Sequence, residues 1–187
     1  MNTNNIGPMR KSTQVALGGL ASSLCLVLMF LTGVFPFATY ALPAMAGIIL
    51  ITVVIENGAS TAWLVYVVVS ILSIFIVPDK EASLIFIAFF GYYPILKQKL
   101  EQIKFKPFQL LIKFLIFNVA IIITYGCVIW FIGSPELMSE MGDIGKIGMI
   151  VLLVLSNITF AAYDFALTVL ITAYVKVIRR KIIKKVI

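Results

Sequence analysis

Apolar residues run almost unbroken through most of the chain, in stretches too long to be one face of a soluble helix, and short polar or turn-forming segments separate them. The polar start from Met1 to Lys11 gives way to a first apolar run over 13–35, which ends in Phe35, Pro36 and Phe37. A second run covers 40–55 and a third 61–77; Glu56-Asn57-Gly58-Ala59-Ser60 divides them and Pro78 closes the third. The shorter fourth run, 82–96, contains Gly91 and Pro94, where a helix would break. A fifth covers 108–132 and a sixth 147–175. A helix needs about 20 apolar residues to cross the hydrocarbon core of a bilayer. The pattern therefore predicts an all-α integral membrane protein, one domain over residues 1–187 folded as a single bundle of six transmembrane helices. The first run is longer than the apolar core of a secretory signal and no small-residue cleavage site follows it, so it is read as a retained span.

Composition agrees. Of the 187 residues, 61% are hydrophobic and 12% charged, with a mean hydropathy of +1.09, against a charged share of about 25% in soluble domains. Six spans leave too little chain for an added soluble catalytic domain. The net charge of +7 would suggest nucleic acid in a soluble protein, but the basic residues are segregated along the chain. With both termini cytoplasmic, thirteen of the fifteen Lys and Arg residues fall in inner segments and only Lys80 and Lys146 outside, as the positive-inside rule requires. Five of the eight acids, Asp79, Glu81, Glu136, Glu140 and Asp143, fall outside. The lipid bilayer is the expected partner and nucleic acid is not. The inner connection from Lys97 to Lys113 sets Leu100 and Ile103 opposite Lys97, Lys99 and Lys104, a pattern that predicts a short basic amphipathic helix on the membrane surface.

Much chemistry is missing. There is no histidine, the commonest general base and metal ligand. Cys25 and Cys127 both sit in apolar runs and read as packing residues. No phosphate-binding loop, nucleophile elbow or zinc-protease motif occurs, and the acids of the spans do not pair. The chain is expected to be no enzyme, with no catalytic residue, metal or cofactor.

The sixth run carries Asp164, twelve residues before Lys176 and thus about 18 Å along a helix from the inner boundary. An acid there costs about 2.5–3.5 kcal/mol on insertion scales, so it should face protein or a wet cavity. Asn157, Ala161 and Thr168 share its stripe. Tyr125, twelve residues beyond Lys113 on the antiparallel fifth run, is expected at the same depth, with Asn118 on its stripe. Trp63, Tyr66, Ser70 and Ser73 follow helical spacing in the third run. These polar faces fit either interhelical clamps or the lining of a solute cavity. Gly18, Ser22 and Cys25, flanked by Gly19 and Ser23, form a small-residue stripe on the first run, which fits close helix packing inside the chain or against a partner.

Three features together resemble the substrate-binding S component of energy-coupling factor (ECF) transporters: the small-residue stretch from Ala16 to Ser23, the hairpin from Leu42 through Gly58 to Ser70, and six spans in under 200 residues with both ends inside. The resemblance implies a noncatalytic substrate-capture subunit in the bacterial cytoplasmic membrane, taking a vitamin-like or other small solute and working with a transmembrane T component and ATPase subunits. It implies solute contact at Tyr66, Tyr125, Asn157 and Asp164 and partner contact at Gly18, Ser22 and Cys25. Two other expectations stand beside it: a noncatalytic scaffold of the MreD type, which binds no solute, and a small secondary transporter coupled to protons or sodium at Asp164.

Overall fold

Apolar runs become helices, and local turn chemistry decides where each one stops. The computed structural model describes residues 11–132 and 135–179, and every regular element among them is helical. Helix α1 spans Lys11–Leu31. It stops short of the run's end at residue 35 because Phe35 precedes Pro36 and takes an extended backbone (φ −118°, ψ 82°), as the steric demand of a following proline dictates. The freed carbonyls find donors: Thr32 Oγ1 to Met29 O at 2.7 Å, and Phe35 N to Leu31 O at 2.9 Å. A single 3-10 turn, Pro36–Ala38, leads to α2, Ala41–Asn57.

The α2–α3 corner is one residue. Gly58 has φ 85° and ψ 168°, a region open in practice only to glycine. Its N–H closes α2 on Val54 O at 3.1 Å, and its carbonyl accepts from Ala62 N at 3.3 Å in the first turn of α3, Ala59–Ile76. At the far end of α3, Lys80 Nζ donates to Ile74 O and Val77 O, both at 2.8 Å, placing a cation where the helix dipole is negative. Asp79 then caps α4, Lys80–Ile85, accepting from Ala82 N at 3.0 Å, while its other oxygen accepts from Thr39 Oγ1 at 2.9 Å. A π-helical turn, Phe86–Phe90, follows α4 and closes with Gly91 N on Phe86 O at 2.7 Å. The chain turns at Gly91–Tyr92 and resumes as α5, Tyr93–Leu100, with Pro94 in its first turn, where no intrahelical donor is required.

These helices group into two compact units, one ending at Gln102 and the other beginning at Ile103. In the first unit, α1 and α3 run parallel. The Lys11 end of α1 meets the α2–α3 corner through Asn57 Nδ2 and Gln14 O at 3.0 Å, Gly18 faces Thr61 and Val65, and Gly33 lies against Pro78 at the other end. Helix α2 lies antiparallel to both. Its small residues Ala46 and Gly47 are buried, which lets backbones approach closely, and Cys25, Met29, Leu50, Val53, Val69 and Phe86 fill the core between the helices. The acidic corner at Asp79 and Glu81 is thus at the end opposite Lys11; there Tyr40 Oη donates to Glu81 Oε1 at 2.8 Å.

The second unit contains α6, Lys106–Ile132, and α7, Pro135–Ala173, which continues as a π-helical stretch over Tyr174–Arg179. The sixth apolar run was expected to begin at 147; the helix begins twelve residues earlier, because Glu136 to Lys146 contains no proline and its two glycines do not suffice to break it. The expected surface helix over 97–113 does not form. Helix α5 ends at Leu100, α6 starts at Lys106, and Lys97, instead of facing solvent, is wholly buried and paired with Glu101 Oε1 at 2.8 Å.

Four helical stretches among the described residues are long and apolar enough to cross a membrane, Lys11–Leu31, Ala59–Ile76, Lys106–Thr124 and Leu153–Lys176, and Ala41–Asn57 is a shorter apolar helix. Their outer faces carry large apolar side chains: Val15 is 75% exposed, Leu64 68%, Phe75 79%, Ile122 69% and Phe165 71%. Water would penalise that surface at about 25 cal/mol per Å², whereas lipid does not. Among the described residues the chain is all-helical, with four helices that could span a membrane.

Candidate functional site

Polar side chains that the sequence places inside apolar helices converge between α6 and α7. Lys113 Nζ lies 3.1 and 2.9 Å from the two carboxylate oxygens of Asp164. The lysine side chain is 6% exposed and the aspartate 18%. One turn further along α6, Phe114 and Phe117 meet Phe160 of α7, edge-on at 5.1 Å between ring centroids and stacked at 4.5 Å with a 10° interplanar angle. Next comes a reciprocal amide pair: Asn118 Nδ2 donates to Asn157 Oδ1 at 2.9 Å, and Asn157 Nδ2 to Asn118 Oδ1 at 3.2 Å.

Each amide nitrogen has two hydrogens, and each spends its second on its own helix. Asn118 Nδ2 also donates to Phe114 O and Asn157 Nδ2 to Leu153 O, both at 2.8 Å. Residue numbers rise on α6 as they fall on α7 through ion pair, aromatic pair and amide pair, which makes the helices antiparallel. Heptad spacing brings this about, since Asn157, Phe160, Asp164 and the fully buried Leu167 occupy one stripe of α7.

The sequence expectation paired Asp164 with Tyr125. The register corrects that: Lys113 stands opposite Asp164, and Tyr125 lies twelve residues further along α6, about 18 Å by helical rise. The side chain of Tyr125 lies outside the described residues. The depth count took Lys113 as the inner boundary of the span, yet Lys113 already lay within the fifth apolar run. A cation there requires an acid, and Asp164 is the acid within the sixth run; that complementarity was the available signal.

Tyr66 belongs to the first unit, whereas Asn157 and Asp164 belong to the second. Its hydroxyl donates to Ile87 O, inside the π-helical turn, at 2.7 Å. Its ring stands edge-on to Trp63 at 5.5 Å and to Tyr92 at 6.2 Å. A Cβ on Gly91 would come within 2.6 Å of that ring, so the glycine is the seat on which Tyr66 rests.

The small-residue stripe divides between two neighbours. Gly18 is buried toward α3, and Ser22 Oγ donates to Gly18 O at 2.9 Å. Cys25 is fully buried and its thiol donates to Ala46 O of α2 at 3.3 Å. Gly18 and Ser22 also line an open groove between α1 and α3 of about 440 Å3.

Chemically, the α6–α7 ladder pairs opposite charges and saturates amide donors. Among the described residues no group of three or more His, Cys, Asp or Glu side chains is placed to hold a metal ion. No protein-family model, no curated protein and no solved structure matches this chain.

Proposed function

We propose that the protein is a noncatalytic membrane subunit that acts by assembling with other membrane components, crossing the bilayer six times with both termini in the cytoplasm. The observation that carries this reading is the internal use of its polar residues: Asp164 is held by Lys113, Asn157 by Asn118 and Tyr66 by Ile87 O. A solute pocket needs such groups pointing into a cavity. The topology is supported by the basic residues, because Lys11 shares one end of the first unit with the α2–α3 corner while Asp79 and Glu81 occupy the other.

The substrate-capture reading, a subunit of an importer with a T component and ATPases, is favoured by one feature: Gly18 and Ser22 line an open groove that a second membrane protein can approach. Gentle purification followed by mass spectrometry separates the two. Wall-synthesis or cytoskeletal partners without a bound small molecule support assembly; two ATPases, a polytopic partner and a vitamin-like solute overturn it in favour of import. Secondary transport is tested by Asp164→Asn, which would abolish uptake with assembly intact. Labelling of a cysteine introduced at position 104 by an impermeant reagent applied to whole cells would overturn the topology.

A further inference from the structure

The groove between α1 and α3 has a polar mouth and an apolar interior. Lys11 stands at one end, Gly19 and Ser22 follow along α1, and Leu64 and Val68 form the wall from α3. The two helices run parallel, so the groove follows their axes. From Lys11 to Ser22 it extends about 16 Å along α1, close to the roughly 15 Å of hydrocarbon in one leaflet of a bilayer. Lys11 is exposed and lies in the first described turn of the membrane-length helix Lys11–Leu31; with that helix across a bilayer, its ammonium would lie near the headgroups. Gly19 keeps the floor open, since a Cβ there would meet nothing within 4 Å.

We propose that this groove is a binding site for an anionic glycerophospholipid of the leaflet on the Lys11 side, with the phosphate at Lys11 and one acyl chain laid between α1 and α3. Three observations agree: cationic mouth, apolar wall, and a length of one leaflet. A transmembrane helix from a partner would gain nothing from the lysine, whereas the net negative charge of an anionic headgroup, which phosphatidylcholine lacks because choline balances its phosphate, is complementary to it. The site requires only that α1 lie in a membrane and is independent of the assembly reading.

The test uses the full chain in mild detergent with phosphatidylglycerol or phosphatidylcholine of identical acyl chains, read by native mass spectrometry. Phosphatidylglycerol should be retained about five-fold more than phosphatidylcholine, the factor expected of one basic residue at an anionic surface. Lys11→Gln should erase that preference, and Lys176→Gln, a basic residue remote in sequence, should leave it unchanged. Gly19→Leu, which fills the floor where space is free, should reduce retention of both lipids while the helical circular dichroism spectrum and thermal midpoint stay as in the parent protein. Equal retention of the two lipids, a preference that survives Lys11→Gln, or a Gly19→Leu effect confined to loss of a dimer would each overturn the proposal. Should Gly19→Leu fail to fold, the Lys11→Gln comparison decides alone.

Discussion

Lys113 and Asp164 compensate each other within helices that are otherwise apolar, and the pair is mutually dependent. Removing one partner leaves the other charged, largely buried and without this counterion, which typically costs about 3–5 kcal/mol, whereas replacing both with apolar residues of similar size is often neutral or stabilising. Lys113→Met and Asp164→Leu are therefore each expected to destabilise the protein strongly, and the double substitution to recover most of the loss, as read from unfolding in mixed detergent micelles. Additive losses would show that the two side chains act separately. The amide pair is expected to be weaker: Asn118→Leu removes two interhelical hydrogen bonds and should cost about 1 kcal/mol, each such bond averaging about 0.6 kcal/mol in membranes. Asp164 was legible as a residue in need of a partner because its insertion cost is visible in the sequence. Its partner was not, because counting from a presumed boundary at Lys113 hid the fact that this lysine was itself inside the apolar run.

Among the elements, helix positions were readable and their irregularities only partly so. The five residues from Glu56 to Ser60 announced the α2–α3 corner, yet the structure needs only Gly58 to turn it. Gly58→Ala is expected to cost about 1–3 kcal/mol, the usual strain of that backbone region, with no contribution from crowding since nothing lies near the added Cβ. Gly91→Ala differs in kind: the backbone there is ordinary helix and the cost comes from displacing the Tyr66 ring and, to a lesser degree, the Phe86 ring. Tyr66→Phe, which keeps the ring and loses the bond to Ile87 O, should cost about 1 kcal/mol and leave the seat intact. Thermal unfolding of the three variants separates these causes; a Gly91→Ala variant as stable as the parent would show that the ring does not rest on it. A break at Gly91 and Pro94 was foreseeable from backbone chemistry. The π-helical turn was not, because it depends on a carbonyl finding the Tyr66 hydroxyl from another helix. The helical course of α7 through Glu136 to Lys146 was missed for a related reason: polar composition marks where apolar runs end, and helices do not have to end with them.

At the scale of the whole molecule, hydropathy alone carried the class, an all-helical chain whose described residues include four helices long and apolar enough to cross a membrane. The division at Gln102 and Ile103 has no hydropathic signature, since it depends on which helices touch. The ladder between α6 and α7 also has a consequence for biogenesis. Lys113 leaves the ribosome 51 residues ahead of Asp164, so during synthesis α6 reaches the insertion machinery carrying a positive charge whose counterion has not yet been made. Release of α6 into lipid before then would expose that charge at the insertion cost of a lone lysine. Nascent chains stalled before residue 164 should therefore remain crosslinked to the translocon through α6, and chains stalled after α7 has emerged should be released. The order in which the two helices are made thus turns a static contact into a checkpoint on leaving the translocon.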